Sequence, residues 1–226
     1  MQLYVGNKNY SSWSMRAWVL MRHKGIAFEE VALRLAFDED SAFKQRLREI
    51  SPAGRVPVLV DEGFAVWDTL AIAEYLAERH PDRHLWPAPV RGRARARCLC
   101  AEMHSGFQAL RNHFPMNIEA SLPEVGQRVL ASEPAAAGDL KRIVEMWTTQ
   151  LDASGGPFLF GDFGIVDAFY APVCTRLRTY ALPVPEAVAG YIDRVHATAA
   201  VRAWVDGALA EQDFLDFDEP YRRSRG

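Results

Sequence analysis

Hydrophobic and polar positions alternate with two different periodicities along the chain. In the first 80 residues, short apolar runs with the two-residue period of strands alternate with stretches that have the period of helices. These runs predict strands at 2–5, 28–33, 56–60 and 64–66 and helices at 12–24, 38–49 and 70–79. The order β-α-β-α-β-β-α therefore predicts helices packed against a small mixed sheet.

Helical periodicity alone continues beyond residue 92. The proline-rich segment 81–92 predicts a linker, which divides the chain into domains 1–80 and 93–226. In the second domain, helices are predicted at 93–114, 135–151, 185–195 and 201–209. The predicted fold class is an α/β, thioredoxin-like N-terminal domain followed by an all-α helical bundle.

A serine-rich segment joins the first strand to the first helix. Ser11, Ser12 and Ser14 lie where the first backbone N–H groups of a helix lack partners and the helix dipole is positive, which favours binding of an anion. Serine hydroxyls at such a place are either helix caps or donors to a ligand. The pattern alone favours caps.

Two further positions in the first domain are unusual for their elements. Pro57 interrupts an apolar strand, although proline cannot donate to the hydrogen-bond ladder of a sheet. It therefore either follows a cis peptide bond, which would leave the backbone of Val56 free to pair with a peptide ligand, or is a trans proline at the start of the strand. Asp68 and Thr69 precede the next helix and have the chemistry of an N-terminal cap.

These segments together carry a family resemblance. Ser11-Ser-Trp-Ser-Met-Arg16, Pro52-Ala-Gly-Arg-Val-Pro-Val-Leu59 and Trp67-Asp-Thr-Leu-Ala-Ile-Ala-Glu-Tyr-Leu76 occur in the order and spacing of the glutathione-binding domain of cytosolic glutathione S-transferases. The serine cluster most resembles the zeta class, whose motif is Ser-Ser-Cys-x-x-Arg. Trp13 stands where that motif has cysteine. Residues 161–168 resemble the family's capping segment at the start of a buried helix, with Gly164 in place of the usual serine or threonine and Asp167 able to accept from the first amides.

The resemblance implies glutathione as co-substrate and assigns roles to individual positions. Ser11, with Ser12 as the alternative, corresponds to the hydroxyl that hydrogen-bonds the glutathione thiolate. The residues implied to bind glutathione are Arg55, Val56, Pro57, Asp68 and Thr69, with Val56 pairing with the cysteinyl part and Asp68 and Thr69 holding the γ-glutamyl end. Lys44, Gln45 and Arg48 remain alternatives for the glycyl carboxylate.

An electrophile pocket is expected between the two domains. Its candidate walls are Phe37, Met103, Phe107, Arg111 and Tyr170. Plain core packing explains the four apolar or aromatic residues at least as well. Arg111 is different, because an arginine among aromatic residues can hold an anionic or carbonyl-bearing substrate.

The positions of the cysteines limit where a reactive thiol can come from. Residues 1–97 contain no cysteine, which excludes disulfide exchange through a protein thiol at the first helix. Cys98 and Cys100 point to different faces of a predicted helix and suit neither a disulfide nor a metal site. The reactive thiol must therefore arrive with the ligand, and no metal is expected.

Composition excludes several classes of partner. The chain has a net charge of −3 and 24% charged residues, without a strongly basic region that would indicate nucleic-acid binding. It has no long apolar run and no recognisable leader, so we expect a cytoplasmic protein that does not bind membranes. A homodimer is expected from the resemblance alone.

Three functions follow from these residues. The leading hypothesis is a glutathione S-transferase that adds the thiolate to a small electrophile. The second is a glutathione-dependent cis–trans isomerase of the maleylacetoacetate type, which Trp13 disfavours because an indole cannot replace a thiol. The third is a non-catalytic binding module, which the retained serines and the Asp68-Thr69 pair disfavour.

Overall fold

The computed structural model describes residues 1–225. Four strands, β1 (Gln2–Val5), β2 (Glu29–Ala32), β3 (Val58–Asp61) and β4 (Phe64–Trp67), form a sheet in the order β2-β1-β3-β4. β2 pairs in parallel with β1, whereas β3 is antiparallel to both β1 and β4. Helices α1 (Ser12–His23), α2 (Ala42–Ile50) and α3 (Thr69–Arg79) complete the predicted βαβαββα order.

The rest of the described chain is helical. It contains α4 (Val90–Ser105), α5 (Gln108–His113), α6 (Pro123–Ser132), α7 (Pro134–Ser154), α8 (Ile165–Thr179), α9 (Glu186–Ala197) and α10 (Ala199–Glu211). Short 3-10 turns lie at Pro81–Arg83 and Asp216–Asp218. None of the helices within residues 1–225 is both long and apolar enough to cross a membrane.

One predicted helix is two helices in the structure. The stretch 93–114 is interrupted between α4 and α5, where Phe107 is buried with a φ of +54°. The Asp139 carboxylate accepts a hydrogen bond from Leu110 N at 2.9 Å and so satisfies an amide in the first turn of α5. The break depends on this contact between distant segments, which hydrophobic periodicity does not encode.

Helix α8 lies at the centre of the helical part and packs against α1. Its start is closed by protein groups: Gly164 N donates to Asp167 Oδ2 at 2.9 Å, and Ile165 N donates to the Leu85 carbonyl at 3.2 Å. A Cβ atom on Gly164 would lie 2.9 Å from that same carbonyl oxygen. This contact explains why glycine, rather than serine or threonine, caps the helix here.

Candidate active site

The start of α1 carries a compact hydroxyl cluster. Ser11 is the N-cap residue, and its Oγ accepts a long hydrogen bond of 3.4 Å from Ser14 N. The Ser11 hydroxyl also donates to Ser14 Oγ at 2.7 Å, and Ser14 Oγ accepts from Gly6 N at 3.0 Å. Ser14 is fully buried, whereas Ser11 and Ser12 line an open cavity.

Ser12 differs from Ser11 in its bonding. Within residues 1–225 its hydroxyl has no hydrogen-bond partner, although it belongs to the same cavity wall. Ser12 thus stays an alternative donor to a ligand. Ser11 is the better positioned one, because two interactions with Ser14 fix its oxygen.

The unusual proline lies opposite these serines. The Val56–Pro57 peptide bond is cis, and β3 begins only at Val58. Val56 is therefore outside the register of the sheet while it lines the cavity with Ser11. Of the two alternatives for Pro57, the structure contains the cis form.

The start of α3 contributes the third segment. Asp68 caps the helix through a 2.8 Å bond from Leu70 N to Oδ1, and its Oδ2 lies 3.2 Å from His104 Nε2. Its φ of +74° is uncommon for a residue other than glycine, and such conformations cluster at ligand sites. Thr69 Oγ1 is buried without a hydrogen-bond partner in the described chain, so a polar ligand atom would stabilise it.

Two adjoining cavities connect these segments. The first has a volume of about 490 Å³ and is lined by Ser11, Ser12 and Phe37, among others. The second, of about 350 Å³, is lined by Pro57, Asp68, Thr69 and His104. The two share four lining residues: Trp13, Arg55, Val56 and Arg111. One continuous cleft therefore joins the start of α1 to the start of α3.

Trp13 lies between two arginines in the wall that both cavities share. The guanidinium carbon of Arg16 is 4.1 Å from the centre of the indole ring, and that of Arg111 is 4.8 Å from it. The edge of His104 completes the contact, with ring centroids 5.2 Å apart. The indole thus holds both cations by cation–π contact.

Arg16 and Arg176 are buried, and Arg111 is half-buried. Burial lowers the pKa of Arg16 to about 9, and repulsion from Arg111 and Arg176 acts in the same direction. Arg176, which also lines the first cavity, donates from Nε to the Phe114 carbonyl at 2.7 Å, and its pKa is lowered to about 10 by burial and by Arg111. None of the three forms an ion pair with a carboxylate in residues 1–225. Buried cations without anionic partners favour an anionic ligand.

The C-terminal segment forms part of the same site. Glu219 is buried and accepts hydrogen bonds from Tyr10 OH at 2.7 Å and from Asn117 Nδ2 at 2.8 Å. The neighbouring Asp218 lines the first cavity, and burial raises the pKa of its carboxyl to about 6. The C-terminal segment is thus hydrogen-bonded to Tyr10, the residue before Ser11.

The structure brings most of the sequence-predicted site residues together. Ser11, Ser12, Phe37, Arg55, Val56, Pro57, Asp68, Thr69 and Arg111 all line the cleft. Of the alternatives for the glycyl carboxylate, Lys44 lines the first cavity, whereas Gln45 bonds to Asp40 and Arg48 bonds to Glu39.

Three expected wall residues lie elsewhere. Met103, Phe107 and Tyr170 are buried core residues and do not contribute to the lining of either cavity. The Tyr170 hydroxyl donates to the Leu99 carbonyl at 3.0 Å and is thereby occupied. The cavity linings do not support their assignment to the electrophile pocket, because Met103 on α4, Phe107 after its end and Tyr170 on α8 all pack into the helical core.

Sequence reasoning missed Arg176 and the role of Trp13. Arg176 lies on α8, which is buried on nearly every side and so has no amphipathic pattern that would mark a residue facing a cavity. Trp13 was visible as a departure from a motif. Its contacts with two arginines required the three-dimensional arrangement.

The fold and the cleft define a class of protein. A thioredoxin-like domain that sets a serine-capped helix opposite a cis-proline loop, covered by a helical domain, is the architecture of glutathione transferases. Comparisons with known proteins agree. Residues 10–79 match the model for the N-terminal domain of glutathione S-transferase and residues 99–207 match that for the C-terminal domain.

Individual relatives extend this result. A probable maleylacetoacetate isomerase from Caenorhabditis elegans is 38% identical over 102 residues, which span 45% of this chain and 46% of that protein. Maleylacetoacetate isomerase from Rattus norvegicus is 28% identical over 173 residues, which span 75% and 74% of the two chains. The chain thus aligns with about half of the first relative.

A solved structure also matches. A glutathione transferase homolog from Burkholderia GL BGR1, with bound glutathione, has 29% identity and a TM-score of 0.69 and covers 92% of this chain and 98% of its own. The chain belongs to the glutathione S-transferase family, with zeta-class proteins and maleylacetoacetate isomerases among its relatives.

Proposed function

We propose that the protein binds glutathione along the cleft, with the γ-glutamyl end in the second cavity and the thiolate at Ser11 in the first, for attack on a small electrophile in the first cavity. One observation carries the proposal: Ser11, Val56 and Thr69, from three separate segments, line one continuous cleft. The family membership and the glutathione bound in the Burkholderia homolog support it.

The two ends of glutathione suit the polar groups of the cleft. Its γ-glutamyl end carries an ammonium and a carboxylate. The Asp68 carboxylate can accept from the ammonium, while the unpaired Thr69 hydroxyl and the N-terminus of α3 favour the carboxylate. Val56 supplies backbone groups for the cysteinyl part, and Lys44 is the candidate for the glycyl carboxylate whose side chain lines the first cavity.

A hydroxyl donor can ionise the thiol to a useful extent. A free thiol has a pKa of about 8.5, and only the thiolate is nucleophilic. A hydrogen bond to a charged group contributes about 1.5–3 kcal/mol, which corresponds to a fall of one to two pKa units. The N-terminus of α1 adds roughly 0.3–1 kcal/mol in the same direction.

The electrophile in this proposal bears an anionic group close to its reacting carbon. Arg111 and Arg176 line the first cavity without carboxylate partners in the described chain, and the buried Arg16 adds positive potential behind Trp13. An anion entering this cavity gains these interactions, whereas a neutral electrophile leaves the cations unpaired.

The second candidate is a glutathione-dependent cis–trans isomerase. The arginine-rich cavity and the names of the relatives favour it. Reversible addition of a thiolate to a conjugated double bond leaves a single bond that can rotate, and loss of the thiolate restores the double bond. The same Ser11 chemistry serves both reactions, so the fate of the adduct distinguishes them.

The deciding experiment combines binding with ionisation of the bound thiol. Calorimetric titration should show glutathione binding, and the ultraviolet absorbance of the thiolate should give a pKa at least about one unit below that of free glutathione. Ser11→Ala should raise the pKa of the bound thiol by about one unit or more, and Ser12→Ala is the matched variant. Equal pKa values in Ser11→Ala and the wild type would exclude Ser11 as the donor.

Product analysis separates the alternatives. A stable conjugate from an unsaturated, anionic electrophile identifies a transferase, and recovery of the geometric isomer without consumption of glutathione identifies an isomerase. Absence of glutathione binding would favour the third hypothesis, a non-catalytic binding module. The homodimer and the cytoplasmic location stay predictions, the former open to sedimentation analysis.

A further inference from the structure

The fully buried Ser14 has no place in the proposed thiolate contact, yet it is bonded to both sides of that site. Its Oγ lies 2.7 Å from Ser11 Oγ and accepts from Gly6 N at 3.0 Å. We propose that Ser14 is a positioning residue that turns the Ser11 hydroxyl towards the glutathione sulfur through a chain of hydrogen bonds. This inference rests on the proposed function of Ser11.

Ser11 and Ser14 carry two hydroxyl protons, and the hydrogen bond between them uses one. A hydrogen bond between two hydroxyls contains a single proton, which either oxygen can supply because hydroxyl groups rotate. In one arrangement Ser11 supplies it to Ser14, across the 2.7 Å between the two oxygens. In that arrangement the Ser11 proton is used, and none is left for a ligand.

The reverse arrangement frees this proton. If Ser14 donates to Ser11, the Ser14 oxygen still accepts from Gly6 N, and the Ser11 oxygen still accepts from Ser14 N. Ser11 then donates its own proton into the cavity that it lines. The complete chain runs from the Gly6 amide through Ser14 and Ser11 to the sulfur.

An anion in the cavity selects the second arrangement. A thiolate accepts a proton but cannot donate one, so it interacts favourably only with a Ser11 hydroxyl that points towards it. Each bond in such a chain polarises the next, which strengthens the terminal bond by about 10–30%. Burial of Ser14 increases this effect, since no water competes for its hydroxyl.

The local packing keeps the chain in place. A Cβ on Gly6 would lie 2.6 Å from Leu35 Cδ2 and 3.3 Å from Ser11 Cβ, so the backbone at residue 6 approaches Ser11 closely only as glycine. Ser14 itself lies in the first turn of α1, one turn beyond Ser11. The backbone therefore fixes both Gly6 and Ser14 in this series of hydrogen bonds.

The test compares two ligands in two variants. We expect Ser14→Ala to raise the pKa of bound glutathione by roughly half a unit and Ser11→Ala to raise it by one unit or more. S-methylglutathione has no ionisable thiol, so its dissociation constant should stay within about twofold of the wild-type value in Ser14→Ala. Thr198→Ala, which removes the capping hydroxyl of α10, controls for loss of a cap.

The outcomes are distinct. An unchanged thiol pKa in Ser14→Ala, together with a raised one in Ser11→Ala, would overturn the relay and leave the proposed function intact. Equal weakening of glutathione and S-methylglutathione would show a merely structural role and also overturn it. An unchanged pKa in Ser11→Ala would remove the proposed role of Ser11 and the relay with it.

A second measurement does not require Ser14→Ala to fold. In the wild-type protein, the buried Ser14 hydroxyl proton should exchange slowly enough to be followed by NMR. Its resonance should move downfield when glutathione binds as the thiolate and stay in place with S-methylglutathione. The same shift with both ligands would contradict the reversal.

Discussion

Helices α1 and α8 pack against each other, and their N-termini solve the same physical problem in opposite ways. Each start has unpaired amides and a positive end of the helix dipole. In α8 these are satisfied by protein groups: a buried carboxylate, Asp167, and the carbonyl of Leu85. In α1 the first turn has no acidic residue, and a neutral hydroxyl, Ser11, provides the cap.

The difference shows how one structural feature serves folding in one place and binding in another. The Asp167 carboxylate neutralises the start of α8 and accepts from Leu159 N and Tyr191 OH as well. No charge remains there for a ligand. At the start of α1 no carboxylate neutralises the positive potential, so an anion such as a thiolate can bind there.

The largest expected effect comes from removing the Asp167 carboxylate. Asp167→Ala leaves the amides of Leu159 and Gly164 and the Tyr191 hydroxyl without their acceptor. At about 1–3 kcal/mol for each unsatisfied group, we expect a loss of at least 3 kcal/mol in the free energy of unfolding. Urea denaturation measures it, and Asp162→Ala, an exposed neighbour, is the control. A loss below 1 kcal/mol would show that α8 does not depend on this cap.

The second prediction concerns pH, because only one of the two caps can ionise. Burial raises the pKa of Asp167 to about 6, above about 3.9 in an unfolded chain. The folded state therefore binds more protons between these values, and this group makes the protein less stable as the pH rises from about 4 to about 6, by up to about 3 kcal/mol.

Urea midpoints across this window provide the measurement. Asp167→Asn should flatten the dependence, whereas Ser11→Ala should retain the wild-type slope, since the cap of α1 does not titrate. Parallel profiles for the wild type and Asp167→Asn would contradict the assignment.

The two helix starts also differ in how well sequence alone predicts them. Both segments were recognised from local patterns: a serine cluster after a strand for α1, and the resemblance of residues 161–168 to the family's capping segment for α8. Pro57 and the Asp68-Thr69 pair were likewise singled out from linear motifs, although the residues left the cis and trans forms of Pro57 open. In each case the informative residues are neighbours in the chain.

What could not be predicted depends on contacts between distant segments. Arg176 faces the cavity from a helix buried on nearly all sides, where no periodicity separates core from site. Met103, Phe107 and Tyr170 face the helical core rather than the cleft, which depends on how α4 packs against α8. The relation between Ser11 and Ser14 also required coordinates, because the sequence does not show which hydroxyl is occupied.

An intermediate effect is expected where the two helices meet. Arg16 of α1 lies between Trp13, at 4.1 Å, and Phe169 of α8, at 5.0 Å. Trp13→Ala removes the ring that holds Arg16 and Arg111, and a cation–π contact contributes about 0.5–2 kcal/mol. We expect KM for an anionic electrophile to rise about tenfold and Trp13→Phe to retain most of the affinity.

The matched control for Trp13 is the substrate rather than another variant. A neutral electrophile gains nothing from the arginines, so its KM should change by less than about twofold in Trp13→Ala. An equal rise for both substrates would mean that Trp13 shapes the cavity without placing the cations.

The smallest expected effect completes the comparison. Ser11→Ala removes a neutral cap whose bond to Ser14 N is long, at 3.4 Å, so it should lower the free energy of unfolding by only about 0.5–1 kcal/mol. Ser11→Gly should cost a few tenths of a kcal/mol, since glycine is a tolerated cap. Denaturation curves for both, beside Asp167→Ala, place the two helix starts on one scale. If Ser11→Ala were as destabilising as Asp167→Ala, the start of α1 would be a structural cap like that of α8, and the distinction between a closed and an open helix terminus would fail.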